Sequence, residues 1–203
     1  MATLESYQNV EFSQGQVLSN DHKFKPDVQG GVCAALCNCW LLKLWDGMSA
    51  DDMVALKKEF DVAVSKQRIW KDAFAQTKSN LANNYNSISH ITRIQLSQAS
   101  TGQFVDPLGL TFDSAGDGFY MLEFRFSEGG HMMAFYKNGS SITLFDPNLG
   151  VYTANGATEV KDFAAQLWAK YFSWGFSVAK WIVWTITKAE SARDRMLKLL
   201  PNA

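Results

Sequence analysis

Three cysteines lie within seven residues of this 203-residue chain, and their placement is its first chemical signal. Cys33 comes shortly after Gly30 and Gly31, in the first turn of a predicted helix, where unpaired N–H groups favour the thiolate. Cys37 lies one turn deeper, and Cys39 points to another side. The pattern indicates a nucleophilic thiol at Cys33, and the alternative is three small buried core residues.

The sequence predicts a histidine and a carboxylate that could serve such a thiol. Two short strands, His131–Lys137 and Ile142–Asp146, flank an Asn-Gly pair that favours a two-residue hairpin loop. In that register His131 lies opposite Asp146. The carboxylate would orient the imidazole and stabilise the imidazolium of a thiolate–imidazolium pair. The alternative is an exposed cross-strand pair that contributes roughly 0.2–1 kcal/mol.

A nucleophile of this kind also needs donors for the oxyanion of its tetrahedral intermediate. The backbone N–H of Cys33 is one candidate, and the side chain of Gln29 is the best-placed amide for a second. The alternative for Gln29 is a solvated loop residue. Structural zinc needs two separated ligand pairs, and His22 has no paired partner, so we expect no metal and no other cofactor.

Composition excludes several classes of function. With 19 basic and 20 acidic side chains, the chain lacks the basic surface expected of a nucleic-acid partner. No apolar run reaches the length of a membrane span, and no secretory signal peptide is recognisable at the N-terminus. Three cysteines this close in sequence cannot form disulfide bonds that stabilise a fold, so we expect reduced thiols.

The pattern of apolar residues predicts an α+β fold. A polar, irregular arm (1–28) precedes a single domain (29–203). That domain begins with helices, has turns over 99–118, and continues as an antiparallel sheet with two more helices. The predicted elements after the turns are a strand at 118–126, the two hairpin strands, a helix at Thr158–Phe172, a strand at Ser177–Thr187 and a helix at Lys188–Leu200.

The last third of the chain is rich in aromatic residues. Packing of helix against sheet is the favoured interpretation, because aromatic side chains dominate core burial. A wall that binds substrate is the alternative. The residues concerned are Trp168, Tyr171, Phe172, Trp174, Phe176, Trp181 and Trp184.

Three segments together resemble the YopT/AvrPphB family of bacterial type III effector cysteine proteases: QGGVCAALCNCWL, GGHMMAF and ITLFDPNLGVY. The resemblance implies a papain-like fold with a Cys–His–Asp triad, whose positions here are Cys33, His131 and Asp146. Family members usually carry an amide about five residues before the cysteine, where this chain has Val28. The remaining matches to the family pattern are Gly31, Leu36, Trp40, Gly130, Phe145, Pro147, Asn148 and Gly150.

The resemblance implies a cysteine endopeptidase that a bacterium secretes and that cleaves a host protein in the reducing host cytosol. It allows a secretion chaperone as a further partner, and we expect a monomer. Two alternatives stay open. One is a glutamine deamidase or transglutaminase-type amidase that uses the same triad, and the other is a non-catalytic interaction protein that keeps the fold.

Overall fold

A computed structural model of the chain describes residues 2–20, 31–77, 94–102, 105–127, 129–178 and 180–188. In this part of the chain, seven strands form one antiparallel sheet in the order β1-β6-β5-β4-β3-β7-β2. The strands are β1 (Gln8–Glu11), β2 (Ile94–Gly102), β3 (Gly118–Phe126), β4 (Gly129–Asn138), β5 (Ser141–Asp146), β6 (Gly150–Asn155) and β7 (Lys180–Lys188).

Helices cover both faces of the sheet, and the architecture is α+β, as predicted. They are α1 (Gln14–Asn20), α2 (Cys33–Trp45), α3 (Met53–Lys58), α4 (Phe60–Thr77), α5 (Val105–Ser114) and α6 (Gly156–Ser173), with a 3-10 turn at Leu4–Tyr7. Side chains alternate along β3, because successive residues of a strand point to opposite faces. Met121 packs with α2 to α4, whereas Leu122 and Phe124 pack with α5 and α6. No described helix is both long enough and apolar enough to cross a membrane.

The first long helix, α2, is surrounded by protein. Ten of its 13 residues are buried, consistent with a sequence that is apolar almost all around the helix. Trp40 stacks on Phe145 of β5, with ring centroids 5.6 Å apart. Phe12 packs edge-on against the same Phe145 ring at 5.6 Å. These contacts fix α2 against the end of β5, where Asp146 lies.

The β4–β5 hairpin differs from the predicted one by one loop position. The loop consists of Gly139 and Ser140, and Asn138 pairs with Ser141. Gly139 has a φ of 57°, and its N–H donates to Asp117 Oδ1 at 2.7 Å. Moving the loop by one residue moves the register by two. The prediction that His131 lies directly opposite Asp146 is therefore wrong, but both side chains keep the same face because the period of a strand is two.

Two segments that were predicted to be irregular contain regular elements. Residues 4–20 of the predicted arm include β1 and α1, and β1 pairs with β6 at one edge of the sheet. The segment predicted as turns, 99–118, includes the end of β2 and all of α5. Short or polar elements such as these take their stability from tertiary partners, so their own sequences carry little periodic signal. The predicted C-terminal helix lies almost entirely outside the described residues.

Candidate active site

The thiol of Cys33 lies at the first residue of α2, where the backbone N–H groups of the helix point towards it. Burial of this thiol disfavours the thiolate. The hydrogen bond and charge of His131, together with backbone hydrogen bonds from the Met132 and Ala34 groups, outweigh that penalty and lower the pKa of Cys33. The two side chains are therefore close enough for the charge of His131 to stabilise the Cys33 thiolate.

His131 lies on the part of β4 that extends beyond the β4–β5 ladder, which ends at the Ala134–Phe145 pair. Its Nε2 donates to Asp146 Oδ1 at 2.8 Å, and both side chains are buried. Burial disfavours the imidazolium, but the charge and hydrogen bond of Asp146 and the contact with Cys33 raise the pKa of His131 to about 10. The protonated ring and the thiolate therefore stabilise each other.

Asp146 is fully buried, and hydrogen bonds satisfy both of its oxygens. Oδ1 accepts from His131 and from the Asn148 backbone N–H at 2.8 Å. Oδ2 accepts from the Tyr171 hydroxyl at 2.8 Å. The Tyr171 ring also packs against His131, with centroids 5.4 Å apart. Burial and the neighbouring carboxylate raise the pKa of Tyr171 well above its usual range, so the hydroxyl stays a donor.

Gln14 joins the two halves of this arrangement. The side chain is buried in α1, and its Oε1 accepts from the Val32 N–H, one residue before Cys33, at 2.8 Å. Its Nε2 donates to Asn148 Oδ1 at 2.7 Å. Its own N–H donates to the Pro147 carbonyl at 2.7 Å. Gln14 thereby holds the start of α2 against the turn that follows Asp146.

Two glutamines occupy donors at the start of α2. Gln14 accepts from Val32, and Gln67 of α4 accepts from the Ala35 N–H at 3.1 Å. No residue that the structure describes accepts a hydrogen bond from the N–H of Cys33, the predicted oxyanion donor. Gln29, predicted as the second donor, lies outside the described residues.

The other two thiols lie in a different environment. Burial raises the pKa of Cys37 well above its usual range, and burial raises that of Cys39 to about 11. Cys37 Sγ donates to the Met132 carbonyl at 3.3 Å. Within the described residues, no group of three or more His, Cys, Asp or Glu side chains is arranged to hold a metal ion.

Gln14 is the main feature that the sequence did not reveal. It lies in a polar segment without periodicity, and its partners come from residues 18 and 134 positions away along the chain. The sequence predicts Tyr171 only as one of the aromatic residues that pack helix against sheet, although its hydroxyl binds Asp146. Neither role has a local sequence signature, because each depends on contacts between distant segments.

A thiol at the start of a buried helix, packed against an antiparallel sheet that carries a paired histidine and aspartate, defines the papain-like cysteine proteases. Residues 3–177 match the sequence profile of the peptidase family described as Yersinia/Haemophilus virulence surface antigen, and the chain belongs to that family. The protein is therefore a cysteine protease of papain-like α+β fold, as the family resemblance predicts.

Two solved structures are similar to this chain. The Pseudomonas avirulence protein AvrPphB matches with a TM-score of 0.70 and 22% identity, over 91% of this chain and 100% of that one. A ubiquitin-specific protease encoded by a murine cytomegalovirus tegument protein, solved with a ubiquitin-based suicide substrate, matches with a TM-score of 0.47 and 12% identity, over 92% of this chain and 88% of that one. No curated protein sequence matches the chain.

Proposed function

We propose that the protein is an endopeptidase in which Cys33 is the nucleophile, His131 the general base and acid, and Asp146 the residue that orients His131. The observation that carries this proposal is that buried His131 hydrogen-bonds the Asp146 carboxylate and lies close enough to Cys33 to lower the pKa of its thiol. Because Nε2 binds Asp146, Nδ1 is the ring nitrogen proposed to exchange a proton with the thiol, and the Asn148 Nδ2 also lies 3.5 Å from it. A non-catalytic protein that merely kept the fold would not need this contact.

The proposed reaction has two halves. The Cys33 thiolate attacks the carbonyl carbon of the scissile amide, and the oxyanion receives hydrogen bonds from the Cys33 N–H and, as a second proposed donor, from Gln29. The C–N bond then breaks, and the leaving amine takes a proton from His131. In the second half, His131 accepts a proton from water, which attacks the thioester and releases the acid and the thiolate. No cofactor enters these steps.

We further propose that a bacterium secretes this protease, through a type III system, and that it cleaves a host protein in the host cytosol. The virulence family supports this placement. The three cysteines are unpaired thiols, and the proposed chemistry needs Cys33 reduced, which suits a reducing compartment. A secretion chaperone is a proposed partner before export, and the working form is proposed to be a monomer.

Incubation of host-cell lysate with the purified protein tests the reaction itself. Mass spectrometry should find new peptide N-termini that are absent with Cys33→Ala and present with Cys37→Ala, the matched control one turn along the helix. New termini that persist with Cys33→Ala would overturn the assignment. A mass increase of one dalton on glutamine, or a new cross-link, without new termini would instead support the deamidase or transglutaminase alternative.

A further inference from the structure

The aromatic residues at the end of α6 divide into two groups. Tyr171, Trp181 and Trp184 are buried, whereas Phe172, Trp174 and Phe176 are 70%, 45% and 44% exposed. Among the described residues, these three are the only exposed aromatic residues, and they lie within five consecutive positions. Exposed aromatic residues in a cluster mark binding surfaces more often than isolated exposed apolar residues do.

Trp174 and Phe176 both lie close to the ring of Tyr171, so the two exposed rings belong to one aromatic cluster. The Tyr171 ring lies 5.4 Å from Trp174 and 6.3 Å from Phe176, and Phe126 of β3 lies 4.9 Å from Phe176. The Lys170 ammonium lies 5.6 Å from the centre of the Trp174 ring. We call Phe126, Trp174 and Phe176 the aromatic surface.

Backbone hydrogen bonds fix the segment that carries Trp174 and Phe176. The Phe176 N–H donates to the Tyr171 carbonyl at 3.2 Å, and the Gly175 N–H donates to the Phe172 carbonyl at 2.9 Å. With Gly175 at a φ of 81°, these bonds form the Schellman motif that ends a helix. A backbone segment that is already held by hydrogen bonds loses little conformational entropy when a partner binds, so less of the binding free energy is lost on ordering it.

The surface is continuous with the proposed catalytic residues through Tyr171. The Tyr171 ring lies 5.4 Å from the His131 ring and 5.4 Å from the Trp174 ring, so these outer rings are no more than about 11 Å apart. An extended peptide advances about 3.3 Å per residue. The surface is therefore within reach of side chains about three residues from a bond cleaved beside His131.

The side of the cleaved bond follows from the proposed chemistry. The leaving amine takes its proton from His131, so the chain that follows the scissile bond departs on the histidine side of the site. We propose that the aromatic surface binds apolar side chains of the substrate within the first three residues after the cleaved bond. This inference rests on the proposed endopeptidase function.

Cleavage of a peptide library made from a host proteome tests the proposal. We expect the wild-type protein to select large apolar residues at one or more of the three positions after the cut. The double variant W174S/F176S should lose that selection and cut such peptides at least about tenfold more slowly, while its selection before the cut stays unchanged. Labelling of Cys33 by iodoacetamide, which has no leaving-group chain, should also stay unchanged.

Leu110→Ser is the matched control, because Leu110 is 54% exposed on α5. Leu110 is far from the aromatic surface. Its neighbour Gly109 packs against Lys161, which precedes Trp174 by 13 residues, and the helix α6 separates these two residues by about 20 Å. This variant should keep the wild-type selection. A wild-type protein that cuts without apolar selection after the bond, or a double variant that keeps it, would overturn the proposed surface alone. A wild-type protein that cuts no peptide would overturn the endopeptidase function and this proposal with it.

Discussion

The first two turns of α2 each place a thiol against β4, and the pKa values of the two thiols shift in opposite directions. Cys33 meets the His131 side chain, and its pKa falls despite burial, because the imidazole and its charge outweigh the cost of desolvation. Cys37 meets the carbonyl of Met132, the next residue of β4, and burial raises its pKa well above the usual range. A carbonyl can accept a hydrogen bond but cannot accept the proton. The partner from the sheet therefore accounts for most of the difference between the two thiols, and the start of the helix adds to it for Cys33 through the Ala34 backbone.

The largest expected effect comes from exchanging the two thiols for alanine in turn. Cys33→Ala should lower peptide cleavage at least about 10⁴-fold, because the nucleophile is lost. Cys37→Ala should change cleavage by less than about threefold and lower the free energy of unfolding by roughly 1–2 kcal/mol through a small cavity. Peptide cleavage and denaturant unfolding measure the two effects. Equal losses of cleavage in both variants would contradict the distinction between the two turns.

Asp146→Asn should have the next largest effect, a loss of about 10²-fold in kcat, because the amide oxygen can still accept from His131 but carries no charge to stabilise the imidazolium. Tyr171→Phe is the milder companion variant. It removes one hydrogen bond to Asp146 Oδ2 and leaves the His131 contact in place, so we expect a loss of only a few-fold. Kinetics on one peptide substrate compare them. A Tyr171→Phe loss as large as that of Asp146→Asn would show that His131 is not held chiefly by Asp146.

Alkylation by iodoacetamide at varied pH should separate Cys33 from Cys37 by about 100-fold in rate at neutral pH. The lowered pKa of Cys33 means that its thiolate is present below pH 9.0, the ordinary thiol value, and is lost only as the pH falls through the lowered value. The raised pKa of Cys37 shifts its titration in the opposite direction. Peptide mapping by mass spectrometry resolves the two sites.

His131→Ala sharpens the same experiment. Without its proton-accepting partner, Cys33 keeps the cost of burial, so the rise of its alkylation rate should move to higher pH. In denaturant, where the environments become alike, all three cysteines should titrate together. An unchanged Cys33 profile in His131→Ala would contradict the role assigned to the histidine.

Gln14→Leu should give the smallest effect on cleavage, about tenfold, with kcat lowered more than KM is raised. The variant keeps the approximate size of the side chain but leaves the Val32 N–H and the Asn148 amide without their partner. Leaving such groups unsatisfied costs roughly 1–3 kcal/mol. Gln16→Leu, on the exposed side of the same helix, is the control. A fall in stability without a shift in the pH profile of Cys33 alkylation would limit Gln14 to a purely structural role.

Much of the fold was accessible from sequence because its longest elements carry strong periodic patterns. The apolar run from Cys33 predicted α2, and strict alternation predicted β3 at the residues where the structure has it. The elements that were missed are β1, α1, β2, β6 and α5. These are short, polar or rich in turn-forming residues. Their stability comes from strand pairing and packing with distant segments, so periodicity alone does not reveal them.

The sequence by itself determined the residue types and the faces on which they lie. Cys33 starts its helix, and His131 and Asp146 share a sheet face in either hairpin register, because the period of two survives a shift of two residues. Only the tertiary structure decided which groups meet. It set His131 against Cys33 and Met132 against Cys37, and it brought Gln14 to both Val32 and Asn148. Such contacts depend on the packing of α1 and α2 against the end of the sheet, which no local pattern encodes.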